Sequence, residues 1–138
     1  MRNCHNEGWY FAMTKQKEVG DKGERLAETY LQKKGLQLLE RNYHAQGGEI
    51  DLIMKDPERE EYILVEVKTR RSDVFGDGAA AITPAKFEKI LAAAESYFIK
   101  KMEMEDMPFF RVDAVIVRIN KDNTVCEHIE EIGFEDFE

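Results

Sequence analysis

The sequence predicts a single α/β domain, a mixed central β-sheet flanked by helices, with elements in the order αβββαββ. Three observations predict it. Two stretches carry apolar residues at helical spacing, and five others are dense in β-branched and aliphatic residues. The helical stretches fall first and fifth among the seven, so the second one separates two groups of strands. At 138 residues, with 43% hydrophobic and 35% charged residues, the chain is long enough for one core and too short for two.

Residues 1–15 lack periodicity and read as a disordered extension, with Met13-Thr14-Lys15 as a natural start. The domain is expected over 16–134, and 135–138 as an acidic tail. Leu26, Ala27, Tyr30 and Leu31 make one stripe of a helix from Lys17 to Lys34, and Gly35 stops it. Leu36 to Tyr43 is the first strand. Residues 47–54 and 62–71 form a hairpin around the polar turn Asp56-Pro57-Glu58-Arg59-Glu60-Glu61. Thr83-Pro84 is an N-cap followed by proline at the first helical position. Phe87, Ile90, Leu91, Ala94, Tyr97 and Phe98 then mark an amphipathic helix ending near Met102. Phe109 to Ile119 and Thr124 to Ile132 are the last strands, joined through Lys121-Asp122-Asn123.

The hairpin carries the chemistry. Strand alternation puts Ile50, Leu52 and Met54 on one face, with Ile63, Val65 and Val67 beside them. The other face is apolar near the turn, through Ile53, Tyr62 and Leu64, and charged at its far end. There Glu49, Asp51 and Glu66 converge with Lys68, three carboxylates against one ammonium. Two carboxylates 4 Å apart repel by about 4 kcal/mol at an effective dielectric near 20. Such a cluster needs a raised pKa or a bound cation. A hard divalent ion such as magnesium prefers carboxylate oxygens and keeps positions for water and phosphate, which suits phosphodiester hydrolysis with the lysine stabilising charge. Cross-strand ion pairs on a half-solvated sheet are the structural alternative.

An acid on one strand followed by Glu-x-Lys on the next resembles the PD-(D/E)xK nuclease superfamily. A fuller set surrounds it: Gly23-Glu24, Arg41-Asn42-Tyr43, Gly48-Glu49-Ile50-Asp51-Leu52-Ile53, Val65-Glu66-Val67-Lys68-Thr69-Arg70, Phe75-Gly76, Lys86 and Arg111-Val112-Asp113. That set, spanning about residues 16–134, resembles the YraN-like family of uncharacterised bacterial proteins, considered related to archaeal Holliday-junction resolvases. The resemblance implies a restriction-endonuclease-like fold and a Mg2+- or Mn2+-dependent endonuclease acting on DNA rather than RNA, at branched or junction structures. It assigns Asp51 and Glu66 as metal-binding acids, the carbonyl of Val67 as a further ligand, and Lys68 as the lysine of the motif. Glu24 matches the first-helix glutamate of the resolvase branch, and Glu49 would support the ligands from behind. Arg70, Arg71 and Lys86 are the expected nucleic-acid contacts. Cleaving both strands of a junction would use a homodimer. His44 and Gly133 depart from the family pattern, which has a basic residue and an alanine there.

The net charge of −8 runs against a nucleic-acid partner. Most of the excess lies in residues 127–138, where Glu127, Glu130, Glu131, Glu135, Asp136 and Glu138 meet no lysine or arginine. Cys4 and Cys126 make no metal-ligand spacing or disulfide framework, and no segment reads as a signal peptide or membrane span. A reducing cytoplasm is the expected compartment. Asp113, in an apolar strand, reads as a buried salt-bridge acid, and His128 as a local hydrogen-bonding residue. Phe75-Gly76-Asp77-Gly78 reads as a loop beside the site. Two other functions fit the sequence: a nucleic-acid-binding module that keeps the fold without the chemistry, and an RNA or nucleotide phosphodiesterase or a scaffold whose acidic tail docks a basic protein.

Overall fold

A computed structural model of the chain describes residues 4–71 and 82–137, with side chains at 16–70 and 82–137. Helix α1 (Cys4–Lys33) is followed by β1 (Gln37–Ala45), β2 (Gly48–Asp56) and β3 (Glu61–Arg71). Then come α2 (Pro84–Glu95), continued by a π-helical turn (Ser96–Lys101), β4 (Phe110–Ile119), β5 (Thr124–Ile129) and a short 3-10 turn (Phe134–Phe137). The expected order αβββαββ is the observed one. Among the described residues no helix is long and apolar enough to cross a membrane.

The five strands line up in the order β1-β2-β3-β4-β5. All neighbours are antiparallel except β3 and β4, whose parallel pairing follows from the crossover through α2. This mixed sheet, covered on both faces, is consistent with a restriction-endonuclease-like arrangement. Ala27 and Leu31 of α1 pack on Leu52, Met54, Ile63, Val65 and Val67 on one face. On the other, Phe87, Ile90, Ala94 and Phe98 pack on Ile53, Leu64, Val112 and Ile116. Central β3 is therefore buried on both faces from Ile63 to Val67, which places Glu66 inside a continuous buried run.

The end of α1 and the start of α2 fall where the sequence places them. Leu36 N–H donates to the Leu31 carbonyl and Gly35 N–H to that of Gln32, a Schellman turn that stops α1 at the expected glycine. Thr83 Oγ1 accepts from Lys86 N–H at 3.1 Å ahead of Pro84. The start of α1 differs from expectation. Cys4 to Lys15, expected within an extension, continue the helix, because no proline interrupts them and propagation from a packed helix is far easier than nucleation. At the other end, Phe137 packs 5.7 Å from the Phe87 ring, so the core runs past the expected boundary at 134. The loop expected at Phe75-Gly76-Asp77-Gly78 lies outside the described residues.

One alternation expectation is corrected. Ile50 packs with Ile53 in the α2 cluster, not with Leu52 and Met54. The cause is in the neighbouring strand. Asn42 takes a left-handed backbone (φ 49), and the β1–β2 ladder skips the pair 42/51 while continuing on either side. Asparagine tolerates this conformation better than most residues. The kink reverses which face follows it, sending Ile50 to the α2 side and releasing Asp51 from strict alternation. The β2–β3 ladder accordingly ends at Leu52–Val65.

Two glycines set how closely the helices approach this region. A Cβ on Gly48 would lie 2.0 Å from the Lys89 carbonyl oxygen, so β2 passes directly against the backbone of α2. A Cβ on Gly23 would lie 1.9 Å from Thr69 Oγ1, so α1 rests against the end of β3. The two obstacles differ in kind, since a threonine side chain can rotate and a helix carbonyl cannot. Gly48→Ala is expected to destabilise by about 1–3 kcal/mol or more, and Gly23→Ala by less, in urea unfolding. Equal losses would overturn this account.

Candidate functional site

The glycine contacts and the Asn42 kink bring α1, α2, β2 and β3 together at one end of the sheet. Asp51 sits at the kink, and its Oδ2 accepts from the Val67 N–H at 2.8 Å. Glu66 points to the α2 side, its side chain 4% exposed. Lys68 Nζ, two residues on along the same face, lies 3.4 Å from Glu66 Oε1. Lys86, in the first turn of α2, reaches Glu49 Oε1 at 3.3 Å and stands 3.8 Å from Glu66 Oε2. Glu49, at the rim, also meets His44 Nδ1 at 3.1 Å. Glu24 projects from α1 beside Gly23, bonds the Asn42 side chain and feels the charges of Asp51 and Glu49. It borders a cleft of about 300 Å³ with Arg25, Glu28 and Arg41.

The electrostatics mark this cluster as unsettled. Glu66 is pushed up to about 7, first by burial and then by Asp51, against the pull of Lys86 and Lys68. Asp51 is also raised by burial, with the Val67 N–H and Lys86 opposing. Glu24 rises to about 6, through burial and then Asp51. Two ionised carboxylates cannot donate to each other, and buried Glu66 Oε2 has no hydrogen-bond donor.

The donor set suits a hard cation. Among the described residues no three acid, histidine or cysteine side chains converge into a cage. Magnesium does not need one, because it is commonly held by one or two carboxylates and completes its shell with water and phosphate. Asp51 and Glu66 would supply the carboxylates. The backbone of Val67, expected to lend its carbonyl, is in direct contact with Asp51 through its N–H.

A family model described as uncharacterised protein family UPF0102 matches residues 23–117, which includes every residue of this cluster. The chain belongs to that family. It is 43% identical over 105 residues to a UPF0102 protein of Nitrosococcus oceani, covering 76% of this chain and 82% of the relative. A UPF0102 protein of Saccharophagus degradans is 41% identical over 105 residues (76% and 86%). One from Syntrophomonas wolfei is 38% identical over 113 residues (82% and 95%). The YraN-like resemblance therefore stands as UPF0102 membership.

Within this UPF0102 protein, Asp51 contacts the Val67 N–H, Glu66 contacts Lys68, and Glu49 and Glu24 lie at the edges of the same end of the sheet. Arg70 is exposed beyond Lys68, with no ion-pair partner among the described residues, and the Arg71 side chain lies outside them. Lys86, an expected nucleic-acid contact, pairs with Glu49 and stands beside Glu66, the second cation that the hairpin alone did not supply. His44 and Asn42 were missed as partners of Glu49 and Glu24. An asparagine inside a strand pattern is the signal that could have revealed the kink.

Asp113 behaves differently from Glu66, although both are buried in adjacent parallel strands. It accepts from Arg111 Nε at 3.1 Å and from the Glu131 N–H at 3.0 Å, and it contacts His128 Nε2 at 2.7 Å. His128 Nδ1 accepts from Lys34 Nζ at 2.9 Å, which leaves Nε2 as the donor to Asp113 in the neutral ring. The sequence reading of Asp113 as a salt-bridge acid and of His128 as a local hydrogen-bonding residue is the observed one.

Glu66 sets a pH dependence. Its proton is held more tightly in the folded chain (about 7) than at the ordinary glutamate value of 4.5. The folded state thus gains from this group below pH 4.5 and loses that gain as pH rises through 7. Glu24 acts in the same direction. In divalent-free buffer, Glu66→Gln is expected to exceed wild type in stability at pH 8 by roughly 1–3 kcal/mol, with the difference shrinking toward pH 5. Thermal unfolding across that range checks the sign.

Proposed function

We propose that this protein is a divalent-metal-dependent nuclease that hydrolyses phosphodiester bonds in DNA, with branched or junction structures as its substrate class. The observation that carries the reading is buried Glu66, with an undonated carboxylate oxygen, beside half-buried Asp51 and flanked by lysines at the end of the sheet. A stability-driven design would have satisfied that oxygen, as it did for Asp113. The motif resemblance to the PD-(D/E)xK superfamily points to the same chemistry.

In this reading Asp51, Glu66 and the Val67 carbonyl would hold Mg2+ or Mn2+, which when bound polarises a phosphoryl oxygen and acidifies a water. Glu24, half-buried and raised to about 6, holds a carboxylate able to accept a proton from water near neutral pH. The Lys68 ammonium stabilises negative charge gathering on phosphate oxygens. Lys86 fixes Glu49 and lowers the electrostatic cost of Glu66, while exposed Arg70 is free to contact the phosphate backbone. A homodimer would present two such sites to the two strands of a junction.

A second reading has an observation of its own. Lys68 and Lys86 already sit beside Glu66, so the cluster can be a partly self-neutralised charge centre in a nucleic-acid-binding module. That module would bind a four-way junction in chelator, with or without Lys68.

For the nuclease, Mn2+ at a hundredfold excess over Kd is expected to stabilise wild type by about 2.7 kcal/mol. Asp51→Ala and Glu66→Ala should each abolish that shift. Lys68→Ala should keep cation binding and lower cleavage of a labelled four-way junction by about 10²–10³-fold. Unchanged Mn2+ binding in both acid variants would sink the proposal, and metal-free junction binding without cleavage would install the second reading.

A further inference from the structure

The acidic C-terminal segment has no place in the chemistry above, and the structure gives it a setting. An open groove of about 360 Å³ runs between α2 and the chain that follows β5, lined by Phe87, Leu91, Phe110, Ile132 and Phe134. Phe134 stacks edge-on against Phe87 at 4.8 Å, yet remains 55% exposed among the described residues, an expensive position for an aromatic ring. Glu131 and Glu135 border the same groove, both exposed. Among the described residues neither has a cationic partner. Arg111, the one cation lining the groove, is engaged with Asp113, Glu61 and Glu130. The groove is thus apolar at its floor and negative at its lip.

We propose that this groove is a docking site for a segment of a partner protein that presents one large apolar side chain flanked by lysines or arginines. Its volume suits a single aromatic or leucine anchor with neighbouring main chain. Burying that anchor against Phe87 and Phe134 supplies affinity, and the unpaired glutamates select a basic neighbour over an acidic one. A second copy docked through this same face is a poor occupant, since its own Glu131 and Glu135 would meet these two like charges. The acids that obscure a nucleic-acid footprint in the sequence then serve a separate surface.

The test titrates the 15N-labelled full chain with three short peptides: one phenylalanine between arginines, the same peptide with alanine for phenylalanine, and one with glutamates for the arginines. The expected result is saturable shifts confined to residues lining the groove with the first peptide, and none with the other two. Glu131→Gln combined with Glu135→Gln should weaken binding about fivefold, within the range of exposed ion pairs. Phe134→Ala, a surface substitution that leaves the buried core intact, should weaken it further. Equal binding of the alanine peptide would overturn the proposal, because charge alone would then suffice. So would shifts centred on Asp51 and Glu66, or groove shifts that appear on raising protein concentration without peptide.

Discussion

Two carboxylates are held together where a sheet covered on both faces comes to its end, and their mutual repulsion shapes everything around them. Burial alone disfavours ionised Glu66, and Asp51 beside it adds to the cost. The fold answers with cations rather than distance. Lys68 arrives on the same strand face and Lys86 from the first turn of α2, while the Val67 N–H offers Asp51 its hydrogen bond. The balance remains incomplete, since one Glu66 oxygen still lacks a donor.

Delivering those groups requires backbone approaches that most side chains would block. Gly48 lets β2 lie against the Lys89 carbonyl, which sets Lys86, one turn earlier, over Glu49 and near Glu66. Gly23 lets α1 rest on Thr69, which sets Glu24 over Asp51. The left-handed Asn42 turns the strand so that Asp51 leaves regular alternation at the same level. Three local features, two of them absences of a side chain, thereby converge on one site.

The same sheet holds an internal comparison. Asp113 is as deeply buried as Glu66 and pairs in register with Val65, one residue from it along β3. It has a guanidinium, an imidazole and a backbone N–H, so its lone pairs are occupied and its role is to tie β4 to β5 and the chain beyond. Two buried acids on neighbouring strands, facing opposite sides of the sheet, thus differ in whether their partners are complete. That difference separates a structural acid from a candidate chemical one more sharply than burial does.

Much of this was legible in the residues themselves. Periodicity determined both amphipathic faces, capping chemistry determined the start of α2 and the stop of α1, and alternation placed Glu66 and Lys68 on one face, because each of these is a property of neighbours along the chain. Tertiary structure alone decided that Ile50 changes sides, that Lys86 belongs to the acid cluster, that Asp113 is satisfied and Glu66 is not, and that Glu131 and Glu135 border an apolar groove. Those outcomes depend on helix-to-sheet distances of a few ångströms between segments far apart in sequence. Local pattern carries no information about such distances until the core packs and fixes them.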